Sequence, residues 1–363
     1  MILGLYGSGM IATVLINHFK EVQGLTVKAV TDIAQADEHV KDLCEKNGIQ
    51  EHYHDVNTML QDPEIDTIYV AVPNVLHYAY CKRALLAGKH VICEKPFTSN
   101  FNEAQDLAKI AKEKGLILVE AVTTHYVPNM KKIIECLPNV GDLKMVVMNY
   151  SSYSSRYDKF KEGVVLPVFN PKMSGGALMD ANIYNLHFLV HLFGKPLDIA
   201  YYPNIDKGID TSGVLVLDYG TFKCVAIGTK DCQGPVSVNI EGDKGYIHIP
   251  FTVNNLQGFS FHEESGNRMV EKTNLPLVNY NGKHFHMYYE FSEFERIIRE
   301  HDLETSNRML EISLAVSQLG SNFARGSGEG KDDQRSRRSG RGNFESTAGQ
   351  CRRYPFSEGS RSR

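Results

Sequence analysis

Met1-Ile2-Leu3-Gly4-Leu5-Tyr6-Gly7-Ser8-Gly9-Met10-Ile11-Ala12 is the stretch whose reading decides the fold. Met1 to Tyr6 reads as a buried strand, a Gly-x-Gly-x-x-Ala turn follows at once, and Ile11 to Phe19 carries the apolar spacing of a helix. Each small residue has a task in such a strand–turn–helix unit. Gly7 permits the tight turn, Gly9 lets the backbone approach a pyrophosphate, and Ala12 allows the helix to lie close to the strand, with phosphates at the helix N-terminus. Gly7, Ser8, Gly9, Met10 and Ile11 are therefore predicted to hold a dinucleotide. A second strand, Thr26 to Thr31, ends in Asp32, 23 residues after Gly9. A carboxylate there accepts hydrogen bonds from both adenosine ribose hydroxyls and repels a 2′-phosphate, which favours NAD(H) over NADP(H). Ile33 follows, where an NADP-preferring site often carries Arg.

The alternation continues outward from this unit. Helix 34–46, strand 50–54, strand 66–72, helix 75–87, a strand at 90–93, helix 102–114 and strand 116–121 predict a six-stranded, doubly wound parallel sheet over residues 1–121. In such sheets ligands bind beyond the carboxyl ends of the strands. Two strand ends carry polar residues that suit this crevice. Pro73 and Asn74 follow the fourth strand, with His77 in the first turn of the next helix, so all three are expected beside the cofactor; Asn74 also reads as that helix's N-cap. His90 to Cys93 discharges Glu94, Lys95 and Pro96 in succession. Glu94 and Lys95 are expected to project into the crevice and contact the cofactor while Pro96 turns the chain; the alternative is an ordinary surface ion pair.

Beyond Ala121 the grammar changes. The strand end Thr123-Thr124-His125-Tyr126 should line a substrate crevice, and Thr124, His125 and Tyr126 are candidate substrate contacts. After a helix at 128–136 and a strand at 142–152, Gly175-Gly176 opens a helical segment running to Phe193. Short strands follow at 197–204, 212–218, 221–229, 236–241, 245–249, 257–263 and 268–272, then helices at 288–300 and 306–319. Residues 122–319 are thus predicted to be an α+β domain with a mainly antiparallel sheet. From Gly320 onward there is no Leu, Ile, Val or Met, and residues 320–363 are expected to be a disordered basic tail, read as an added or frame-altered extension in preference to an RNA-binding one.

The 363 residues have room for two domains, and the 42% apolar and 23% charged fractions are those of an ordinary globular protein. From Arg325 to Arg363 ten Lys/Arg stand against five Asp/Glu, so the net charge of −4 leaves −9 on the body, against a nucleic-acid footprint. Seven cysteines form no CxxC pair, which indicates reduced thiols and a cytoplasmic setting. The opening apolar run is too short for a signal peptide and no apolar run of about 18 residues exists, so neither secretion nor a membrane span is expected. His187 and His191 form a His-x-x-x-His pair, but without a nearby glutamate or a third ligand they are assigned to packing or, for His187, substrate contact; no metal is predicted.

Taken together, the Gly7–Ala12 turn with Asp32, the Pro73-Asn74-x-x-His77 segment, the Gly88-Lys89-His90-Val91 run ending in Glu94-Lys95-Pro96, and Gly175-Gly176-Ala177-Leu178-Met179-Asp180 with Tyr184 resemble the Gfo/Idh/MocA oxidoreductases. The resemblance spans residues 1 to about 319. It implies a Rossmann domain, an open sheet in a domain over residues 122–319 that serves substrate binding and oligomerisation as a homodimer or homotetramer, a tightly held nicotinamide cofactor, and a sugar, polyol or cyclic diol as small-molecule substrate. The family's Glu-Lys-Pro lysine is catalytic and corresponds to Lys95; its Asp-x-x-x-His pair falls on Asp180 and Tyr184. Hydride transfer at an alcohol carbon needs a proton removed from, or delivered to, the oxygen. A tyrosine pKa near 10 is high for that task, and the Lys95 ammonium is expected to lower it, with Asp180 one helical turn away orienting substrate or lysine. The reading that follows is an NAD(P)-dependent dehydrogenase or reductase; the alternative is a non-catalytic NAD(H)-sensing regulator on the same scaffold.

Overall fold

The apolar run at the start forms β1 (Ile2–Tyr6) in the computed structural model, which describes residues 1–263 and 277–324. The elements that follow are α1 (Met10–Phe19), β2 (Thr26–Thr31), α2 (Asp37–Asn47), β3 (Glu51–Tyr53), α3 (Val56–Gln61), β4 (Thr67–Val70), α4 (His77–Leu86), β5 (His90–Glu94), α5 (Phe101–Lys114) and β6 (Leu118–Ala121). Helix α3 was not read from the sequence; its six residues are too few to show a period, and Asp55 caps it by accepting from Thr58 N at 3.0 Å. The six strands pair in parallel in the order β3-β2-β1-β4-β5-β6. The order reverses between β1 and β4, which is where a doubly wound sheet opens its crevice past the carboxyl ends.

The second half contributes α6 (Pro128–Cys136), β7 (Leu143–Ser151), α7 (Tyr157–Lys161), α8 (Ile183–Phe193), β8 (Asp198–Asp206), β9 (Ile209–Asp218), β10 (Lys223–Thr229), β11 (Ser237–Gly242), β12 (Gly245–Ile249), β13 (Ser260–Glu263), α9 (Met287–Arg299) and α10 (Leu303–Ala324). Its seven strands lie in the order β13-β12-β11-β7-β10-β9-β8. All neighbours are antiparallel except β7 and β10, because the β8–β9–β10 meander returns to β7 in the same direction. The strand expected at 268–272, and the tail from Arg325, lie outside the described residues.

Helix α10 does not stop at Leu319 as expected. Residues 320–324 continue it, since Ser321 Oγ accepts from Phe101 N at 2.8 Å and the Phe323 ring lies 5.7 Å from that of Tyr201. The lack of aliphatic residues there concealed one partly buried aromatic contact.

Alternate residues of the first sheet feed two cores. Leu3, Leu5, Val30, Tyr69, Ile92 and Val119 pack with Leu15, Ile16 and Phe19 of α1 and with Phe291, Phe294 and Ile297 of α9. Ile68, Val70, Val91 and Leu118 pack with Ala84 and Leu85 of α4, Leu107 of α5 and Leu310 of α10. The second sheet buries Val146, Met148, Leu215, Ala226 and Ile240 under α8, α6 and the Val316–Leu319 end of α10. Helix α9 therefore returns to the first sheet although it follows the second in sequence, and α10 joins both cores. Fully burying one such Leu, Ile or Phe side chain is worth about 1.5–3 kcal/mol.

Candidate active site

The first crevice is built by the Gly7–Ala12 turn. Gly7 adopts φ +97°, and a Cβ there would lie 2.4 Å from the Ala71 carbonyl oxygen, so only glycine fits. A Cβ on Gly9 would meet nothing within 4 Å, and α1 begins there with no side-chain cap and no acidic residue in its first turn. Its leading N–H groups lack a side-chain acceptor, beside open space, which suits a pyrophosphate. Asp32 Oδ2 accepts from Ser8 N and Ser8 Oγ, both at 2.6 Å, while Oδ1 accepts from Ile33 N at 2.7 Å. The turn is thereby tied to the end of β2. Together with Thr13, Val14, Ala36 and His39, these residues line a groove of about 510 Å³, in which Met10 is exposed and Ser8 buried. The groove suits the adenosine and pyrophosphate end of a dinucleotide. Thr13 and His39 were not singled out in the sequence, because neither belongs to the glycine motif that marks the turn.

The second assembly joins Lys95 to residues 85 or more positions further along the chain. Lys95 leaves the carboxyl end of β5, and its Nζ donates to Asp180 Oδ1 at 2.9 Å and to the Asp180 carbonyl at 3.1 Å. Its ammonium also lies 4.8 Å from the centroid of the Tyr184 ring. Asp180 belongs to a π-helical turn, Leu178–Asn182, directly before α8, a widened turn of the kind often found at functional sites. Gly176 precedes it at φ +112°, where a Cβ would collide with Asp210 Oδ1, and Asp210 Oδ2 accepts from Leu178 N at 2.7 Å to hold the turn's first residue. The structure thus brings Lys95, Asp180 and Tyr184 together.

It adds a fourth member that no motif indicated. Lys230, just past β10, donates to Asp180 Oδ2 at 2.6 Å and to the Val168 carbonyl at 2.8 Å, with its side chain only 4% exposed. Asp180 sits between two ammonium groups. Burial opposes its charge, but Lys95 and Lys230 outweigh burial and hold its carboxyl well below the usual range. For Lys95 burial also disfavours the charge, and Asp180 and Tyr184 more than offset it, leaving an ammonium that gives up its proton reluctantly. Tyr184 corrects an expectation. Burial raises its pKa and the nearby Lys95 only partly counters this, so the phenol stays protonated at neutral pH instead of being drawn towards phenolate.

Several residues expected in the crevices turn inward. Glu94 is buried, paired with the Tyr69 hydroxyl, and burial raises its pKa. His77 is buried as well, with Nδ1 2.8 Å from the Pro96 carbonyl and Nε2 2.9 Å from that of Val72, so it braces two strand ends instead of facing a cofactor. Asn74 caps no helix; its amide donates to the Ser174 carbonyl at 3.0 Å, and Ser174 Oγ donates to Ser99 Oγ at 2.7 Å. The Pro73-Asn74 turn and the segment after Pro96 thereby grip the chain just before Gly175 and Gly176. Thr124 is wholly buried and donates to the Val253 carbonyl at 2.9 Å. The Tyr126 ring packs edge-on against Phe294, with its hydroxyl enclosed and unpartnered among the described residues. A strand end fixes where these residues are, but the direction of each side chain follows from packing.

His125 lies between two other imidazoles. Its Nδ1 is 2.7 Å from His191 Nδ1 and its Nε2 3.1 Å from His187 Nδ1. His187 is fully buried, 3.4 Å from Glu120 Oε1 in a contact too poorly aligned to satisfy its Nε2. Burial, then Arg308 and His187, lowers the His191 pKa to about 4. The unfolded chain therefore binds a proton at this residue more readily, so its contribution to stability is complete above about pH 6.5 and is lost as the pH falls towards 4. His191→Asn is expected to remove about 2 kcal/mol of the stability lost between pH 7 and pH 4.5. Denaturant melts of both proteins at each pH check this, and parallel acid losses would refute it.

Residues 2–122 match an oxidoreductase family described as having an NAD-binding Rossmann fold. The chain is 30% identical over 314 residues to scyllo-inositol 2-dehydrogenase (NADP(+)) IolU of Bacillus subtilis, covering 86% of this chain and 93% of that one. It is 28% identical over 286 residues to trans-1,2-dihydrobenzene-1,2-diol dehydrogenase of Danio rerio, covering 77% and 82%. Among solved structures, KijD10, a 3-ketoreductase from Actinomadura kijaniata in complex with NADP and TDP-benzene, shares the fold with a TM-score of 0.76 at 19% identity, over 90% of this chain and 97% of that one. With the dinucleotide turn, both sheets and 30% identity across most of its length, the chain belongs to the Gfo/Idh/MocA oxidoreductase family.

Proposed function

We propose that this protein transfers hydride between a nicotinamide dinucleotide and the alcohol or carbonyl carbon of a sugar, polyol or cyclic diol, using Lys95, Asp180 and Tyr184. The observation that carries the proposal is the Lys95 ammonium, fixed by Asp180 and placed against the Tyr184 ring beyond the carboxyl end of β5. The bound dinucleotide supplies or accepts the hydride. The chain handles the proton. In reduction the Tyr184 hydroxyl would give its proton to the substrate oxygen and Lys95 would stabilise the phenolate left behind; in oxidation that phenolate would take the proton back. Because the phenol is held protonated, Tyr184 is the proton donor, and Lys95, tied to Asp180, acts through its charge.

Asp32 favours NAD(H), since a 2′-phosphate would meet its carboxylate. The Bacillus subtilis relative is named for NADP(+) and KijD10 holds NADP, so a direct comparison of the two cofactors is decisive. On the second sheet Tyr202 and Ile205 of β8 are more than half exposed, in keeping with a homo-oligomer. No described helix is long and apolar enough to cross a membrane.

The test is a fluorescence titration with NADH and NADPH, followed by nicotinamide absorbance with NAD⁺ or NADP⁺ as sugars, inositols and cyclic diols are added, and with NADH or NADPH as the corresponding carbonyl compounds are added. NADH is expected to bind more tightly, and at least one compound to change the absorbance. Tyr184→Phe should lower that turnover by about 10²–10³-fold with cofactor affinity kept. Binding with no turnover on any compound would favour a cofactor-sensing regulator, and failure to bind either dinucleotide would refute the groove.

A further inference from the structure

We propose that Asp37, His52 and His54 form a binding site for a divalent transition metal of the zinc type, on the outer edge of the first sheet beside the dinucleotide groove. The three come together from different elements. His52 lies in β3 and His54 two residues on, so both rings leave the same face of the strand. Asp37 is the first residue of α2, and its Oδ1 stands 2.9 Å from His52 Nε2 and 2.8 Å from His54 Nδ1. The two rings are 4.6 Å apart, and all three donor atoms lie within 4.8 Å of one another.

Two imidazole nitrogens and one carboxylate oxygen converging on one point are the three-ligand set that zinc takes with a fourth position left to water. The nitrogen donors select zinc, copper, nickel or cobalt over magnesium and calcium, which prefer oxygen. At metal–ligand distances of about 2.0–2.1 Å, tetrahedral donors stand roughly 3.3 Å apart, so Asp37 Oδ1 needs to draw back from each imidazole nitrogen by about half an ångström. Asp37 and His54 are exposed enough to make that adjustment, with side chains 43% and 75% accessible.

The buried imidazoles around His125 offer no such point. The central ring meets its neighbours through opposite nitrogens, so the donors run in a line instead of converging. An ion at Asp37 would clip β3 to the start of α2, next to Ala36 and two residues before His39, both of which line the groove. Metal would then brace the wall against which the adenosine end rests. Asp37 is distant in sequence from the two histidines, which is why their spacing alone raised no metal signal.

Calorimetry of the chelator-treated full chain with Zn²⁺ tests the proposal. A Kd on the order of micromolar is expected, weaker than four-ligand structural zinc because one protein ligand fewer is present. His54→Ala, in a largely exposed ring, should weaken it at least tenfold, and His52→Ala/His54→Ala should abolish it. Zn²⁺ should raise the melting temperature of the parent and not of the double variant, while Mg²⁺ shifts neither. Because the six described cysteines are free, the Co²⁺-loaded protein gives an independent readout. Visible bands without thiolate charge transfer support the site, and a thiolate signature overturns it. Equal Zn²⁺ binding by parent and double variant, or none by the parent, overturns it as well.

Discussion

Lys95→Ala is expected to lower turnover by about 10³-fold, or about 4 kcal/mol of transition-state stabilisation, while NADH affinity changes by no more than a few-fold. The ammonium is the one positive charge shown against the Tyr184 ring, so its loss leaves the phenolate formed on proton donation unsupported in a buried setting. The fold should survive, because Asp180 keeps its second cation at 2.6 Å in Lys230 and is not left as an isolated buried charge. The groove lined by residues from Ser8 to His39, where the adenosine end is expected, does not include Lys95. Single-turnover absorbance and a fluorescence titration on the same preparation separate these effects. Full activity in the variant would overturn the assignment, and loss of NADH binding would show that Lys95 serves the cofactor instead.

Lys230→Ala is expected to act differently, on stability first. Its side chain is almost fully enclosed and bonds both Asp180 Oδ2 and the Val168 carbonyl, so removal strips two partly buried acceptors at once. Breaking a buried ion pair from one side costs about 3–5 kcal/mol. With Lys95 still on Oδ1, a loss of about 3 kcal/mol is expected in denaturant titration. Turnover should fall by roughly 10–100-fold as Asp180, and through it Lys95, loses its fixed position. An unchanged denaturation midpoint would show that the Lys230 pair contributes nothing net, and unchanged turnover would show that Lys95 is positioned without it.

These two lysines differ in how they were found. Lys95 announces itself because a short apolar strand does not end in Glu-Lys-Pro without cause, and a parallel sheet dictates which end of the strand faces the crevice. Lys230 stands in an unremarkable Thr-Lys-Asp sequence after β10, and it reaches Asp180 only because β10 lies beside the π-helical turn that carries that residue. Asp180 and Tyr184 were assigned only through the family resemblance that the Gly175-to-Asp180 segment carries, and the reason for its second glycine, avoidance of Asp210, lies in the tertiary structure. That Tyr184 stays protonated was not legible, since the charge of Lys95 is a property of residue type whereas desolvation is a property of packing.

Left to itself, the sequence determined the doubly wound sheet, the Gly7–Asp32 groove and the mainly antiparallel second sheet. These depend on local period, strand-end chemistry and glycine conformations, all of which act within a few residues. Only the tertiary structure decided that Glu94, His77 and Thr124 turn inward, that α9 returns to the first sheet, and that Lys230 and the Asp37–His52–His54 cluster exist as groupings. Such outcomes depend on which faces of distant elements are pressed together. A residue's neighbours in space are set by burying apolar surface across the whole chain, and no short stretch of sequence carries that information.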